Sequence, residues 1–341
     1  MKISLVIPTN RVSYSALARV FEAASLDPER FELIVRDNSE SEAKRALLAK
    51  IEAPNLRLFT VPNRGGFENS IEALQLASGE FAFFLSDDDW LSVNGLYQLH
   101  EMGTKFHADE SVIGLNGLYL IDTSTTSGLF GYKGLDSVDA AQRVTGFIQA
   151  NGPNMIFYSA VRRPLMTFCF KFMETLPYKF SFHDQLMSLM YLALGRFLTI
   201  ERVVYFYDHA DWETLEGTLS KDRSSYTNAG LPIEVDRLHW LICGLEGALL
   251  LNSQLIRNKA TFDREQLANL WFAANFGRFK HWGRELGYAQ TESNAITMKI
   301  RDKWLGNAEV NLNELLLDVC NAFEVADPEG ARRYFDFWSA V

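Results

Sequence analysis

Several features that mark particular protein classes are missing from this sequence of 341 residues. Its three cysteines, Cys169, Cys243 and Cys320, are too widely spaced for a CxxC metal site or a disulfide framework. Acidic residues outnumber basic ones, 43 to 33, and the formal charge of -10 argues against general nucleic-acid binding. These absences favour an ordinary globular protein in a reducing cytoplasm.

Long hydrophobic runs are also missing. The most apolar late stretch, 240–251, is too short to span a bilayer and contains Glu246. At the N-terminus, the chain enters the strand-like segment 3–7 without the charged leader, long apolar region and cleavage site of a secretory signal. The sequence therefore predicts no integral membrane segment.

The first third of the chain alternates strand-like runs with segments of helical periodicity, which is typical of βα units in a mainly parallel sheet. The predicted strands cover residues 3–7, 31–35, 56–61 and 81–85. Each of them is followed by polar residues. Because ligands of open α/β sheets bind at the carboxyl ends of the strands, we expect these four loops to surround one site.

The fourth strand ends in an acidic cluster, Asp87-Asp88-Asp89. Adjacent carboxylates repel one another, so a positive partner is expected at this position. Oxygen ligands suit a hard divalent cation such as Mg²⁺ or Mn²⁺. The alternative is a solvated acidic turn before Trp90.

These elements, in this order and spacing, resemble the family 2 glycosyltransferases over roughly residues 1–209. The resemblance is carried by Pro8-Thr9 after the first strand, Asp37-Asn38-Ser39, Asn63-x-Gly65-x-x-x-Asn69, Ala77-Ser78-Gly79-Glu80 and the acidic cluster. It implies the α/β GT-A nucleotide-sugar-binding fold, a Rossmann-like mainly parallel sheet. It also implies an inverting transferase that uses a nucleotide-sugar donor and Mn²⁺ or Mg²⁺.

The resemblance also assigns residues to the donor site. They are Pro8, Thr9, Arg11, Asp37, Asn63, Arg64, Asn69 and Asp87. In this assignment Asp37 accepts a hydrogen bond from the nucleobase, although Asp is equally suited to a turn or helix cap. The segment around Asn63 and Asn69 is alternatively a glycine turn that caps the next helix.

The metal ligands implied by the resemblance are Asp88, Asp89 and His209. The common family pattern is Asp-x-Asp-Asp, and here Ser86 occupies its first position if the last two acids are aligned. This shift leaves the roles of the individual acids open, with Asp88 favoured as the principal ligand. A structural role is the alternative for His209.

Asp184, at the start of a helical pattern, matches the segment that carries the general base in this family. Such a base must reach the acceptor hydroxyl to take its proton. The alternative is that Asp184 only caps the helix. His183 stands where many relatives have Glu, so its role is open.

The chain is expected to form a glycosyltransferase domain over 1–229, followed in sequence by a helical domain over 230–341. At the end of the first domain, 210–230 lacks periodicity and is predicted to be a loop or linker. The aromatic and basic segment 271–284 indicates either a bilayer-surface contact or a core-facing helix. We expect the helical domain to bind the acceptor, to form an oligomer or to contact the inner face of the membrane.

The Gln-x-x-Arg-Trp motif of processive family members is missing, which favours transfer of single sugars to a glycan or a lipid-linked glycan. A nucleotidyltransferase is the enzymatic alternative. It would need a glycine-rich basic loop after the first strand, which 8–13 does not provide. A non-catalytic glycan-binding protein on the same fold is the other alternative.

Overall fold

The structure is a computed structural model that describes residues 1–11, 20, 22–61, 65–122, 127–150, 154–208, 214–257, 263–285, 295–307 and 309–341. Its contacts divide the chain into two compact units, and each is discontinuous in sequence. The first contains Met1–Val138, Ala150–Glu174 and Gly195–Ala210. The second contains Asp139–Gln149, Thr175–Leu194 and Asp211–Val341. The proposed domain boundary at 229/230 stays a prediction.

A single mixed sheet organises the described part of the first unit. Its strands are β1 (Ile3–Thr9), β2 (Phe31–Asp37), β3 (Leu56–Thr60), β4 (Phe81–Phe84), β5 (Trp90–Leu91), β6 (Val112–Asp122), β7 (Ser127–Phe130), β8 (Ala160–Arg162) and β9 (Arg196–Tyr207). The spatial order is β3-β2-β1-β4-β8-β6-β9-β5, with β7 paired to β6. Strands β3, β2, β1 and β4 are parallel, whereas β8 runs antiparallel to β4 and β6.

The four predicted strands are therefore present and adjacent. Strands β1 and β2 are buried along almost their whole length, which agrees with the mainly apolar residues in their central parts. The parallel register pairs Thr9 with Asp37 at the carboxyl ends of these two strands. This register places the loops after β1, β2 and β4 at one edge of the sheet.

The helices are α1 (Glu42–Leu48), α2 (Gly66–Gln75), α3 (Val93–Phe106), α4 (Ala140–Gln149), α5 (Arg163–Thr175), α6 (His183–Leu194), α7 (Leu215–Asn228), α8 (His239–Asn252), α9 (Gln254–Arg257), α10 (Arg264–Glu285), α11 (Ala295–Gly306), α12 (Leu312–Glu324) and α13 (Pro328–Ala340). A 3₁₀ helix covers Ile233–Leu238. In the second unit, α8 packs against α10, and α12 packs against α13. The predicted α/β fold with a helical C-terminal region is confirmed.

One prediction for the second unit was wrong. Residues 210–230 lack an apolar period, yet α7 covers Leu215–Asn228. The Thr214 side chain caps this helix by accepting a hydrogen bond from the Gly217 N–H at 3.0 Å. The helix then buries Tyr226 and ends near Gly230, whose φ of 79° suits glycine. Capping and one buried aromatic thus support a helix whose surface is mostly polar.

Among the described residues, no helix combines the length and apolar character that crossing a bilayer requires. The bilayer-contact interpretation of 271–284 depended on aromatic side chains. Three of these, Trp271, Phe276 and Phe279, are buried. Helix α10 therefore uses them in the core of the second unit.

Candidate active site

Asp37 lies at the carboxyl end of β2 and is fully buried. Its Oδ1 accepts hydrogen bonds from the Ser39 N–H at 3.0 Å and from Lys44 Nζ at 3.1 Å. Its Oδ2 has no hydrogen-bond partner among the described residues. A buried carboxylate oxygen without a donor is costly, so a ligand N–H that reached this atom would be favoured.

Lys44 connects Asp37 to the end of β1. Its ammonium donates to Thr9 Oγ1 at 2.7 Å, to the Arg11 carbonyl at 2.6 Å and to Asp37. These bonds use all three donors of the ammonium group, which is buried. The sequence contains one signal for this role, the spacing of four residues between Lys44 and Leu48, which places a lysine on the same helix face as an apolar residue. In the structure both side chains are buried on α1.

Asp87 and Asp88 follow β4 and share one arginine. The Thr9 hydroxyl donates to Asp87 Oδ2, and Arg11 Nε lies 3.0 Å from Asp87 Oδ1. A terminal nitrogen of Arg11 donates to Asp88 Oδ2, and the Ser86 hydroxyl donates to Asp88 Oδ1. All four oxygens of the two carboxylates are therefore engaged by protein donors.

Asp89 has a different environment and is 1% exposed. Its Oδ2 accepts a 2.6 Å hydrogen bond from the Tyr205 hydroxyl, and its Oδ1 accepts one of 2.7 Å from the Asp208 N–H. Burial, reinforced by the negative charge of Asp89, raises the pKa of Tyr205 well above its ordinary value. The phenol thus remains a donor, and Asp89 ties the acidic loop to β9.

Asp87 and Asp88 have the chemistry of a cation site. The Arg11 guanidinium bridges them, so a positive charge already occupies the space between these two carboxylates. Their oxygens are of the type that Mg²⁺ and Mn²⁺ prefer. Within the described ranges, no group of three or more His, Cys, Asp or Glu side chains is arranged to hold a metal ion. The pair fits a cation that takes further ligands from its substrate.

Comparison with protein families gives a match for the N-terminal part of the chain. Residues 4–109 match the model of Glycosyl transferase family 2. The match identifies a family 2 glycosyltransferase domain that includes residues 4–109. Its fold is GT-A, with the acidic loop and Asp37 at the edge where the matched strands end. None of the curated proteins matches the chain.

Solved structures similar to this glycosyltransferase include S. aureus TarS. TarS 1-349 in complex with UDP-GlcNAc has a TM-score of 0.52 and 15% identity, covering 100% of this chain and 91% of that one. The complex of TarS 1-349 with UDP has a TM-score of 0.50 and 15% identity, with the same coverage. A longer TarS structure has a TM-score of 0.52 and 15% identity, with all of this chain covering 55% of that chain. At such identities the likeness is one of fold.

For the other predicted donor-site residues of the glycosyltransferase, the structure gives positions but does not test contact with a donor. Pro8 is half-buried in β1, opposite Arg36 of β2. Asn69 is buried on α2, where its Oδ1 accepts from Arg36 and its Nδ2 donates to the Arg36 carbonyl at 3.0 Å. This pairing fixes α2 to the sheet, and a donor contact by Asn69 stays a prediction. Three further predicted residues lie outside the described residues: Asn63, Arg64 and His209.

The Ala77–Glu80 part of the family resemblance has a structural explanation. Glu32, buried on β2, accepts hydrogen bonds from the Ser4 hydroxyl at 2.5 Å and from the N–H groups of Ser78 and Gly79 at 2.5 and 3.0 Å. A Cβ at Gly79 would lie 2.6 Å from Ser4 Oγ and 2.7 Å from the Lys2 carbonyl. Only glycine fits this turn, which sets the start of β4.

Asp184 belongs to the second unit, in the first turn of α6. It is half-buried, and its Oδ1 accepts a 2.6 Å hydrogen bond from the Gln185 N–H. The preceding His183 is buried, with Nδ1 accepting from the Phe180 N–H at 3.3 Å and Nε2 lying 3.4 Å from Glu246 Oε2. Thus His183 anchors the start of the helix that presents Asp184, and the base role of Asp184 stays a prediction.

Proposed function

We propose that this glycosyltransferase moves a single sugar from a nucleoside-diphosphate sugar to a hydroxyl of a glycan or lipid-linked glycan, with inversion at the anomeric carbon. One observation carries the proposal. The buried, unpartnered Oδ2 of Asp37 lies at the same sheet edge as the cation-bridged pair Asp87 and Asp88. A nucleobase N–H and a diphosphate are the two groups that such a pair of sites would bind together.

In this proposal Asp37 recognises the nucleobase. Its Oδ2 is an acceptor only, so it selects bases that present a ring N–H, such as uracil, thymine and guanine. The similarity to TarS 1-349, solved with UDP-GlcNAc, makes a uridine nucleotide the first donor to test. Lys44 holds the other oxygen of Asp37 and thereby fixes the direction in which Oδ2 points.

Asp87 and Asp88 are the residues that would hold Mg²⁺ or Mn²⁺ beside the diphosphate, with Asp88 as the principal ligand. When bound, the ion neutralises charge that develops on the departing diphosphate. We assign Asp89 to the architecture of the loop, because the buried Tyr205 hydroxyl and the backbone N–H of Asp208 hold both of its oxygens. In Asp87 and Asp88, by contrast, one oxygen each is held by the exposed side chain of Arg11. His209, the residue after Asp208, remains a proposed ligand of the metal ion.

Asp184 is proposed as the general base. It takes the proton of the acceptor hydroxyl while that oxygen forms a bond to the anomeric carbon. The bond from that carbon to the diphosphate breaks on the opposite face, and the electron pair leaves with the nucleoside diphosphate. This single displacement inverts the anomeric configuration. We propose release of the product after one transfer, on the ground that the sequence lacks the Gln-x-x-Arg-Trp motif of processive family members.

The test is release of nucleoside diphosphate from a panel of UDP-, GDP- and dTDP-sugars, measured with Mn²⁺ or Mg²⁺. The expected result is slow, metal-stimulated release of one diphosphate by the wild-type chain. Asp88→Asn should remove the metal stimulation. No release from any donor, and no binding of any donor, would contradict the proposed function.

A further inference from the structure

Arg11 occupies an unusual position between the two carboxylates of the cation site. Its Nε lies 3.0 Å from Asp87 Oδ1, and a terminal nitrogen contacts Asp88 Oδ2. The Arg11 side chain is 44% exposed, whereas those of Asp87 and Asp88 are 9% and 27% exposed. The guanidinium can therefore leave towards solvent without any opening of the core.

The backbone at this point is fixed independently of the side chain. The Arg11 carbonyl accepts a 2.6 Å hydrogen bond from the buried ammonium of Lys44. That ammonium is in turn held by Thr9 Oγ1 and Asp37. Arg11 is thus a long side chain whose own backbone is held, which lets the guanidinium change partners while the Arg11 backbone stays in place.

Arg11 holds one oxygen of each carboxylate, and a cation held by Asp87 and Asp88 would compete with it for these oxygens. The other oxygens of Asp87 and Asp88 accept hydrogen bonds from Thr9 and Ser86. With Arg11 in place, the pair has a net charge of about -1 rather than -2, and an incoming cation meets a like charge within a few ångströms. Arg11 and a divalent cation therefore compete for the same site.

We propose that Arg11 is an internal counter-cation that holds Asp87 and Asp88 in the donor-free protein and releases them when a divalent cation and a diphosphate bind. The released guanidinium then pairs with the diphosphate, for which its planar fork is suited. This second half rests on the proposed function. Divalent-cation affinity is consequently low in the free protein and rises when a nucleoside diphosphate is present.

The experiment measures Mn²⁺ binding to the full chain without nucleotide, by calorimetry or by electron paramagnetic resonance of free Mn²⁺. Arg11→Gln is expected to bind Mn²⁺ at least about tenfold more tightly than wild type, because a competing charge is removed. Arg11→Lys retains the charge and is the matched control, with affinity close to wild type. Arg11→Met is a second neutral variant and should behave as Arg11→Gln does.

Two results would overturn the proposal. One is that both neutral variants, folded by circular dichroism, bind Mn²⁺ no more tightly than wild type. The other is that Arg11→Lys gains as much affinity as Arg11→Gln, since competition of charge would then not be the cause. Adding Asp88→Asn to Arg11→Gln should abolish the gain, which assigns it to this site.

A nucleotide measurement separates this proposal from the proposed function. In wild type, UDP should strengthen Mn²⁺ binding, and in Arg11→Gln it should strengthen it less. A gain in Mn²⁺ affinity for Arg11→Gln, with no binding of UDP, GDP or dTDP by either protein, would support the counter-cation and contradict the donor site. UDP binding by wild type, with no gain for the neutral variants, would contradict the counter-cation alone.

Discussion

The ammonium of Lys44 lies 3.1 Å from Oδ1 of Asp37, and both side chains are almost completely buried. This ion pair leaves the other oxygen of Asp37 without a partner among the described residues. Through Thr9 the same ammonium reaches the acidic loop, because the Thr9 hydroxyl accepts from Lys44 and donates to Asp87. One buried lysine thus joins the proposed nucleobase and diphosphate sites.

Lys44→Met should destabilise the protein by roughly 3–5 kcal/mol, because it leaves the Asp37 charge buried without its partner. Urea unfolding measures this free energy. Lys50→Met, just beyond α1 and exposed, is the matched control and should change stability little. Adding Asp37→Asn to Lys44→Met should recover part of the loss, since the uncompensated charge is then removed. If the double variant loses as much unfolding free energy as the two single variants together, the two residues are not paired.

Tyr205→Phe removes the hydroxyl that donates to Asp89 at 2.6 Å. A hydrogen bond to a buried charged group contributes about 1.5–3 kcal/mol, so a loss of this size is expected in the free energy of unfolding. Mn²⁺ binding should weaken as well, because Asp89 fixes the loop that carries Asp88. If Tyr205→Phe lowers the free energy of unfolding as much in an Asp89→Asn background as in wild type, the two residues are not coupled.

Glu32 gives the protein a predicted sensitivity to acid. Burial alone would raise the pKa of Glu32, but hydrogen bonds from the Ser4 hydroxyl and the Ser78 and Gly79 N–H groups outweigh it and lower the pKa below its ordinary 4.5. The unfolded state therefore takes up a proton first. The stabilisation is complete above about pH 4.5 and is lost as the pH falls through the folded-state pKa.

Glu32→Gln tests this expectation. At pH 7 it should cost about 1–3 kcal/mol of unfolding free energy, and the difference from wild type should shrink below pH 4.5. Glu40→Gln, at an exposed position, is the control and should show no such pH dependence. Parallel stability curves for wild type and Glu32→Gln down to pH 3 would refute the assignment.

Asp184→Asn should separate donor binding from chemistry. An amide still accepts a hydrogen bond from the Gln185 N–H, so the start of α6 is preserved. It has no basicity for the acceptor hydroxyl, and a loss of 10²–10⁴-fold in transfer rate is expected. UDP affinity should remain within about twofold of wild type. Transfer at an unchanged rate would rule out Asp184 as the base.

The central sheet and its acidic loop could be predicted from local sequence. Strands β1, β2 and β4 are short, mainly apolar runs that are followed by polar residues, and such patterns need no tertiary information. Ser86 occupies the position of the first Asp in the family pattern, and a contact within the loop explains its role, because its hydroxyl donates to Asp88. Ser86 supports the acidic pair from within the loop.

The partners of that loop could not be predicted in this way. Lys44 and Tyr205 reach the site from α1 and β9, and Arg11 bridges two acids that follow it by 76 and 77 positions. Such contacts depend on the strand order, which a single sequence does not specify. Helix α7 was missed for another reason. Its stability comes from a cap and a buried Tyr226 rather than from an apolar stripe.

Calorimetric titration of UDP into the wild-type chain and into Asp37→Asn, each with Mn²⁺, tests whether Asp37 binds the nucleobase. Wild type is expected to bind UDP, and Asp37→Asn to lose at least about tenfold in affinity, because the amide no longer offers a charged acceptor to the base N–H. Cytidine diphosphate should bind more weakly than UDP, since cytosine has no ring N–H for Asp37. Equal affinity of both proteins for UDP, or no binding of UDP, GDP or dTDP by wild type, would contradict this role of Asp37.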